Sequence, residues 1–311
     1  MYNQHRQSQH QRYRDARTAF VGNPAMLQAL ERFLTDEVAA LLSTHIGEIT
    51  RDYNEATFLY PFWQRYPPED RGRAPKGDQV PWIEVGEHVL GAKLARVLPL
   101  RFGVRDPGLP TGPDVRFLVS HARIREITNG ITDAAWLMAD IKSVGPRDDA
   151  DHTVMSHNQI SGLGEWDQCD DGISNRVMTA VGVRASHPFH SALPPLYVLS
   201  DGTIAPTVLL AIKPVYSMLS LATGGKLQGQ PLCRIDIAAI PNGLLLEAGP
   251  KYLDTHRGLL FPGKDDKDKN PLKIRARISF ERLRAIDAWR VRSLAAPADP
   301  SIADLRPPAG R

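Results

Sequence analysis

The sequence predicts an α/β protein built as one elaborated domain. Apolar residues at helical spacing fill the first third of the chain, and short apolar runs of strand character fill most of the rest. No internal repeat or clear linker divides the 311 residues. A chain of this length can bury a full core. Its 42% hydrophobic and 23% charged content is ordinary for a soluble globular protein. No apolar run approaches the roughly 18 residues that a membrane span needs, and the start from Met1 to Arg17 is polar and basic. Neither a span nor a secretory signal is expected. Cys169 and Cys233 make no disulfide framework and no metal spacing, which suits a reduced cytoplasmic protein.

Residues 1–22, rich in Gln, His and Arg, read as a flexible basic arm. The folded domain spans 23–293. Asn23-Pro24 offers an N-cap followed by proline at the first helical position, and Leu27, Leu30, Leu34, Val38 and Leu41 recur at helical spacing through about Ile49. From Tyr53 to Pro81 the chain is aromatic and proline-rich, and cannot be regular helix throughout. Ile83 to Leu98 reads as a second helix. Strands follow at Val115–Val119 and within the apolar run Ala135–Val144. Pro146 to Pro194 is polar, rich in Gly and Asp, and nearly without periodicity. An Asp201-Gly202 turn between Leu196–Leu199 and Thr207–Ile212 signals a hairpin. Arg234–Ile240 and Leu272–Phe280 give further strands, and the Ala- and Pro-rich 294–311 reads as a disordered tail.

The net charge of +3 hides an asymmetry. Arg6, Arg12, Arg14 and Arg17 face a single acid, Asp15, at the start of the chain, and ten Lys and Arg face five acids over 264–293. The middle of the chain is mildly acidic. Basic ends around an acidic centre suit a polyanion-binding surface with a cation site inside it, or simply a solvated basic face.

Asp114, preceded by Pro113, is followed 26 residues later by Asp140-Ile141-Lys142. Residues two apart on a strand share a face, so Asp140 and Lys142 point into one site. Charged groups inside an apolar strand are costly unless paired or bound to a metal. The pattern is that of the metal-dependent Pro-Asp…Asp/Glu-X-Lys nucleases, or of a strand-end ion pair. Downstream, Leu272, Ile274, Ala276, Ile278 and Phe280 alternate with Lys273, Arg275, Arg277 and Ser279. Such a strand buries one side and presents cations on the other. The mixed-charge loop Gly263–Lys269 precedes it. Arg and Lys bond guanine O6 and N7 and Asp accepts from cytosine N4, so these residue types suit the reading of G·C pairs; the alternative is a solvated edge. Thr223-Gly224-Gly225-Lys226 lacks the full phosphate-loop pattern, and His187 and His190 have no evident zinc partners.

These blocks, with Asp52–Ala56, Pro75–Gln79, Trp82–Glu87, Leu109–Asp114, Asp140–Asp148, Leu199–Pro206 and Pro262–Asp266, resemble the BglI family of type II restriction endonucleases, from about Glu48 to Ile278. The resemblance implies a Pro-Asp…Asp/Glu-X-Lys nuclease core, a central mixed β-sheet flanked by helices. It implies a cytoplasmic bacterial homodimer that cuts double-stranded DNA between GCC and GGC half-sites separated by five unspecified pairs, leaving 3′ overhangs. A companion methyltransferase acting on the same site is expected without binding this chain. Asp114, Asp140 and Lys142 carry over as the catalytic centre, and Lys264, Asp266, Arg275, Arg277 and Asp148 as base-reading residues. Oxygen ligands from Asp114, Asp140 and the Ile141 carbonyl suit Mg²⁺, with Mn²⁺ as substitute and Ca²⁺ supporting binding alone. Glu87 either adds an acidic group to that site or bridges at the core edge. A structure-specific repair nuclease and a non-catalytic DNA-binding protein remain as alternatives.

Overall fold

The computed structural model describes residues 4–63, 80–109, 111–145, 149–167, 172–217, 219–220, 228–263 and 274–303. The expected flexible arm is a helix, α1 (Gln4–Gly22). His10, Tyr13, Ala16 and Phe20 fall on one face and are buried. The Tyr13 hydroxyl donates to the Gly164 carbonyl at 2.8 Å, and Arg17 Nε to the Leu163 carbonyl at 2.7 Å. The arm reads as polar because half of its buried face is His and Tyr, side chains with apolar bodies and polar tips.

The helix expected from Asn23 to Ile49 is two, α2 (Pro24–Thr44) and α3 (Ile46–Trp63), parted at His45. Asn23 stands at the cap position, but its side chain makes no capping hydrogen bond. Helix α4 (Val80–Val97) begins slightly before the expected Ile83. Two short strands, β1 (Gly103–Arg105) and β2 (Val115–Ser120), precede α5 (Ala122–Ile127) and the central strand β3 (Ala134–Ile141).

The stretch that lacked periodicity holds three four-residue strands: β4 (His152–Met155) and the hairpin of β5 (Met178–Val181) and β6 (Ser186–Phe189). Elements this short leave no period to detect. Strand β7 (Leu196–Val198) pairs with β8 (Ile204–Tyr216) across the Asp201-Gly202 turn, where Gly202 takes φ +83°. The pair β9 (Leu219–Ser220) and β10 (Gln228–Gly229) leads into β11 (Leu232–Ile240). Then come α6 (Tyr252–Thr255), β12 (Leu260–Pro262), β13 (Ala276–Ser279), α7 (Phe280–Ile286), β14 (Val291–Ala295) and α8 (Pro300–Ala303). The tail expected to be disordered from Leu294 is thus ordered at its start: Leu294 pairs with Ile235, and Ile302 is buried. Strand β13 ends before Phe280, because the Ser279 hydroxyl caps α7 by accepting from the Arg282 N–H.

Among the described residues a seven-stranded sheet runs β1-β2-β3-β8-β11-β14, with β7 added beside β8. Only β3 and β8 are parallel, so the sheet is mixed and flanked by helices. A parallel pair needs a crossover connection, and this one includes β4, β5 and β6, which lie outside the main sheet, before β7 returns to it beside β8. All eight residues of β3 are buried. Trp136 and Met138 enter one core with Phe20, Met155 and Ile160; Ala135, Leu137, Ala139 and Ile141 enter the other with Leu34, Leu90 and Leu94. A second sheet, β12-β13-β4, stands on the first core.

Candidate active site

The antiparallel register of β2 and β3 sets Val115 opposite Ala139. One step further along the same register, Asp114 stands beside Asp140. The Asp114 carboxylate accepts from the Ile141 N–H at 2.8 Å, so residues distant in sequence meet through sheet pairing. Asp140 follows Trp136 by four residues and Met138 by two on β3, on the side that faces the first core, and it is fully buried. Lys142, just past the strand, reaches back to Asp140 Oδ1 at 3.0 Å with its side chain one-third exposed. Its backbone N–H donates to the Ile212 carbonyl at 2.9 Å, which extends the β3–β8 pairing into the site.

Burial, opposed by the Lys142 ammonium and reinforced by the Asp114 and Glu87 carboxylates, pushes the Asp140 carboxyl up to about 6. Glu87 comes near because α4 closes on the end of β3 through Gly86. A Cβ there would lie 2.1 Å from the Ser143 hydroxyl and 2.9 Å from Pro214 Cγ.

One oxygen of Asp140 is saturated. Oδ1 accepts from Lys142 Nζ and from Gln159 Nε2, whereas the buried Oδ2 has no hydrogen-bond partner. A desolvated carboxylate oxygen without a donor costs about 1–3 kcal/mol or more, and a cation removes that cost. No group of three or more His, Cys, Asp or Glu gathers as a metal cage among the described residues. Buried Asp140 beside the exposed Asp114 carboxylate fits a hard cation that takes oxygen ligands and keeps several waters on its open side.

Gln159 carried no role in the sequence reading. Its signal was the Ser156-x-x-Gln159 spacing of a capping box. Lys213 on β8 was also missed. It is buried, it donates to the Ala150 carbonyl at 3.1 Å and to the His152 carbonyl, and it lies over the Phe280 ring. It pins the segment that leaves β3 and enters β4.

In the second sheet Arg277 pairs with Val154 of β4 and Phe261 of β12. Ala276 and Ile278 are buried; Arg275 is exposed and Arg277 half-buried. His152 lies between Asp149, at 3.3 Å, and the Arg277 charge; burial first, then Lys213 and Arg277, hold its pKa below the usual imidazole value against Asp149. Lys264, Asp266 and Asp148 lie outside the described residues, as does 223–226.

The family model for restriction endonuclease BglI matches residues 8–294. The type II restriction enzyme BglI of Bacillus subtilis is 46% identical over 287 residues, 91% of this chain and 95% of that protein. The chain belongs to the BglI restriction endonuclease family. The crystal structure of BglI bound to its DNA recognition sequence superposes with a TM-score of 0.88 at 45% identity, covering 96% of this chain and all of that one. Tetrameric SfiI bound to cognate DNA shares the fold alone, with a TM-score of 0.60 at 13% identity over 88% of this chain and 85% of that one. As a BglI-family protein the chain is a type II restriction endonuclease, a sequence-specific deoxyribonuclease acting on DNA with a divalent metal. No helix among the described residues is long and apolar enough to cross a membrane.

Proposed function

We propose that this enzyme is a homodimer that cuts GCCNNNNNGGC within the spacer, leaving 3′ overhangs, with Mg²⁺ as the working cation. The observation that carries the catalytic half is the buried, unpartnered Oδ2 of Asp140 beside Asp114 and Lys142. Asp114, Asp140 and the Ile141 carbonyl would hold the metal, which would supply an acidified water and charge neutralisation at the scissile phosphate. Lys142 orients the attacking water and stabilises the charge that builds on the phosphate oxygens. Its tether to Asp140 fixes where the ammonium stands. Glu87, whose charge reaches Asp140, adds to the negative field that draws a cation in. In-line attack gives a 5′-phosphate and a 3′-hydroxyl.

Recognition falls to Arg275 and Arg277, with Lys264, Asp266 and Asp148. The alternation of buried Ala276 and Ile278 with the two arginines supports it, since it turns both guanidinium groups off the core. One small surface per subunit suffices when a two-fold dimer reads two half-sites. The enzyme works in the bacterial cytoplasm beside a methyltransferase that protects the same sequence.

The test is digestion of plasmid DNA of known sequence in Mg²⁺, with every end mapped by sequencing. Ends inside GCC-N5-GGC sites are expected, with Mn²⁺ substituting and Ca²⁺ supporting binding without cutting. Ends at another interrupted palindrome would move the argument to the recognition surface; ends at junctions or flaps would overturn the site-specific reading.

A further inference from the structure

One turn of 3-10 helix, His157–Gln159, stands between the two sheets. Fully buried Met155 and Ile160 flank it. On its far side the Ala192 N–H donates to the His157 carbonyl at 2.7 Å, and Leu193 N–H to the Ile160 carbonyl at 3.3 Å. The turn therefore has little freedom to shift.

Both catalytic carboxylates answer to it. The Gln159 amide is used at both ends: Oε1 accepts from the Ser156 N–H at 2.7 Å, and Nε2 donates to Asp140 Oδ1. The neighbouring Asn158 Nδ2 donates to the Gly112 carbonyl at 3.4 Å, two residues before Asp114. Gly112 takes φ +142°, so the Gly112-Pro113 bend that delivers Asp114 is held from the same turn. With the Gln159 oxygen already engaged, the amide cannot flip, and only its N–H faces Asp140.

We propose that Gln159 is a positioning residue, which fixes the Asp140 carboxylate so that Oδ1 faces Lys142 and Oδ2 alone is presented to the cation. The inference rests on the reading of Asp140 as a metal ligand. Rotation of a carboxylate about its last bond would turn its plane away from the cation, and burial alone does not prevent it. The paired N–H donors of Lys142 and Gln159 do, because both are directed at Oδ1. Outer-shell donors of this kind set ligand orientation, and their loss typically lowers metal affinity about 10–100-fold.

Gln159→Glu and Gln159→Met separate positioning from folding. Glu keeps the acceptor for the Ser156 N–H, as a capping box allows, but loses the donor to Asp140. Met keeps the length and loses both. The readouts are the Ca²⁺ concentration that half-saturates the rise in melting temperature of the free protein, and the Mg²⁺ concentration that half-saturates cleavage. Asp140→Ala serves as the reference without the site. Gln159→Met is expected to need about tenfold more cation or greater in each assay; Gln159→Glu, which sets a second carboxylate against buried Asp140, is expected to lower the cation-free melting temperature and to regain it on adding Ca²⁺. Half-saturation in Gln159→Met that is unchanged or lower overturns the proposal, because the Nε2 donor would then do nothing for the cation site. The melting assay uses no DNA, so an error in the recognition sequence proposed above leaves it readable.

Discussion

The proposed catalytic strand and the proposed recognition strand carry similar charged residues in opposite settings. On β3 the carboxylate of Asp140 is fully buried in an eight-residue strand whose other members are apolar, and its partners are directed at one oxygen. On β13 only alternate residues are buried; Arg277 between them is half-buried, and Arg275 just before the strand is exposed. The difference follows from the tasks. A cation has no shape of its own, so the protein must fix every ligand before it arrives. A base edge brings its own donors and acceptors, so the reading side chains need only a rigid base and freedom at their tips. Burial raises the energetic stakes at Asp140 and lowers them at Arg277.

The largest expected effect lies at the buried end. Asp140→Ala should lower cleavage about a thousandfold or more, with dimeric DNA binding in Ca²⁺ retained in a mobility-shift assay; undiminished cutting would remove Asp140 from the site. Next comes pH. The Asp140 carboxyl is pushed up to about 6 from an ordinary 3.8. Its ionised form therefore destabilises the metal-free fold, by about 3 kcal/mol once the pH is above both values. That cost is absent below about 3.8 and grows as pH rises through 6. A bound divalent cation compensates it, so the rise in melting temperature on adding Ca²⁺ should be small at pH 5 and largest above pH 7. A rise independent of pH would place the cation elsewhere.

At the exposed end the effects are smaller and of another kind. Arg277→Ala should cost about 1–3 kcal/mol of specific binding per half-site, read by competition between cognate and random duplex. Equal losses on both duplexes would make Arg277 a phosphate clamp. The smallest effect tests whether the two regions communicate, since Val154 pairs with Arg277 and the same strand leads into the Gln159 turn. A double-mutant cycle of Arg277→Ala and Gln159→Met, read in kcat on cognate DNA, should show a coupling of about 0.5–1 kcal/mol. Strictly multiplicative losses would make the sheets independent.

Much of this was legible in the residues. The Asp140-Ile141-Lys142 spacing carried part of the candidate site, because a strand period of two puts Asp140 and Lys142 together. The apolar runs of β8 and β11 were equally plain, as was the Ala276–Ile278 alternation. What it missed has particular causes. Helix α1 hid its buried face in His10 and Tyr13. Strands β4, β5 and β6 are too short to show a period. Gln159 and Lys213 are polar residues in the interior, and local sequence does not say which buried partner will satisfy them.

By itself the sequence determined the strand and helix periods, the mixed charge of the proposed recognition segment and the residue types of the candidate active site, because all of these depend on neighbours a few positions apart. The tertiary structure alone decided the β2–β3 register that sets Asp114 beside Asp140, the approach of Gly86 that brings Glu87 near, and the turn that aims Asp140. Those depend on close packing between segments distant in the chain, where a buried polar group must find its partner in three dimensions.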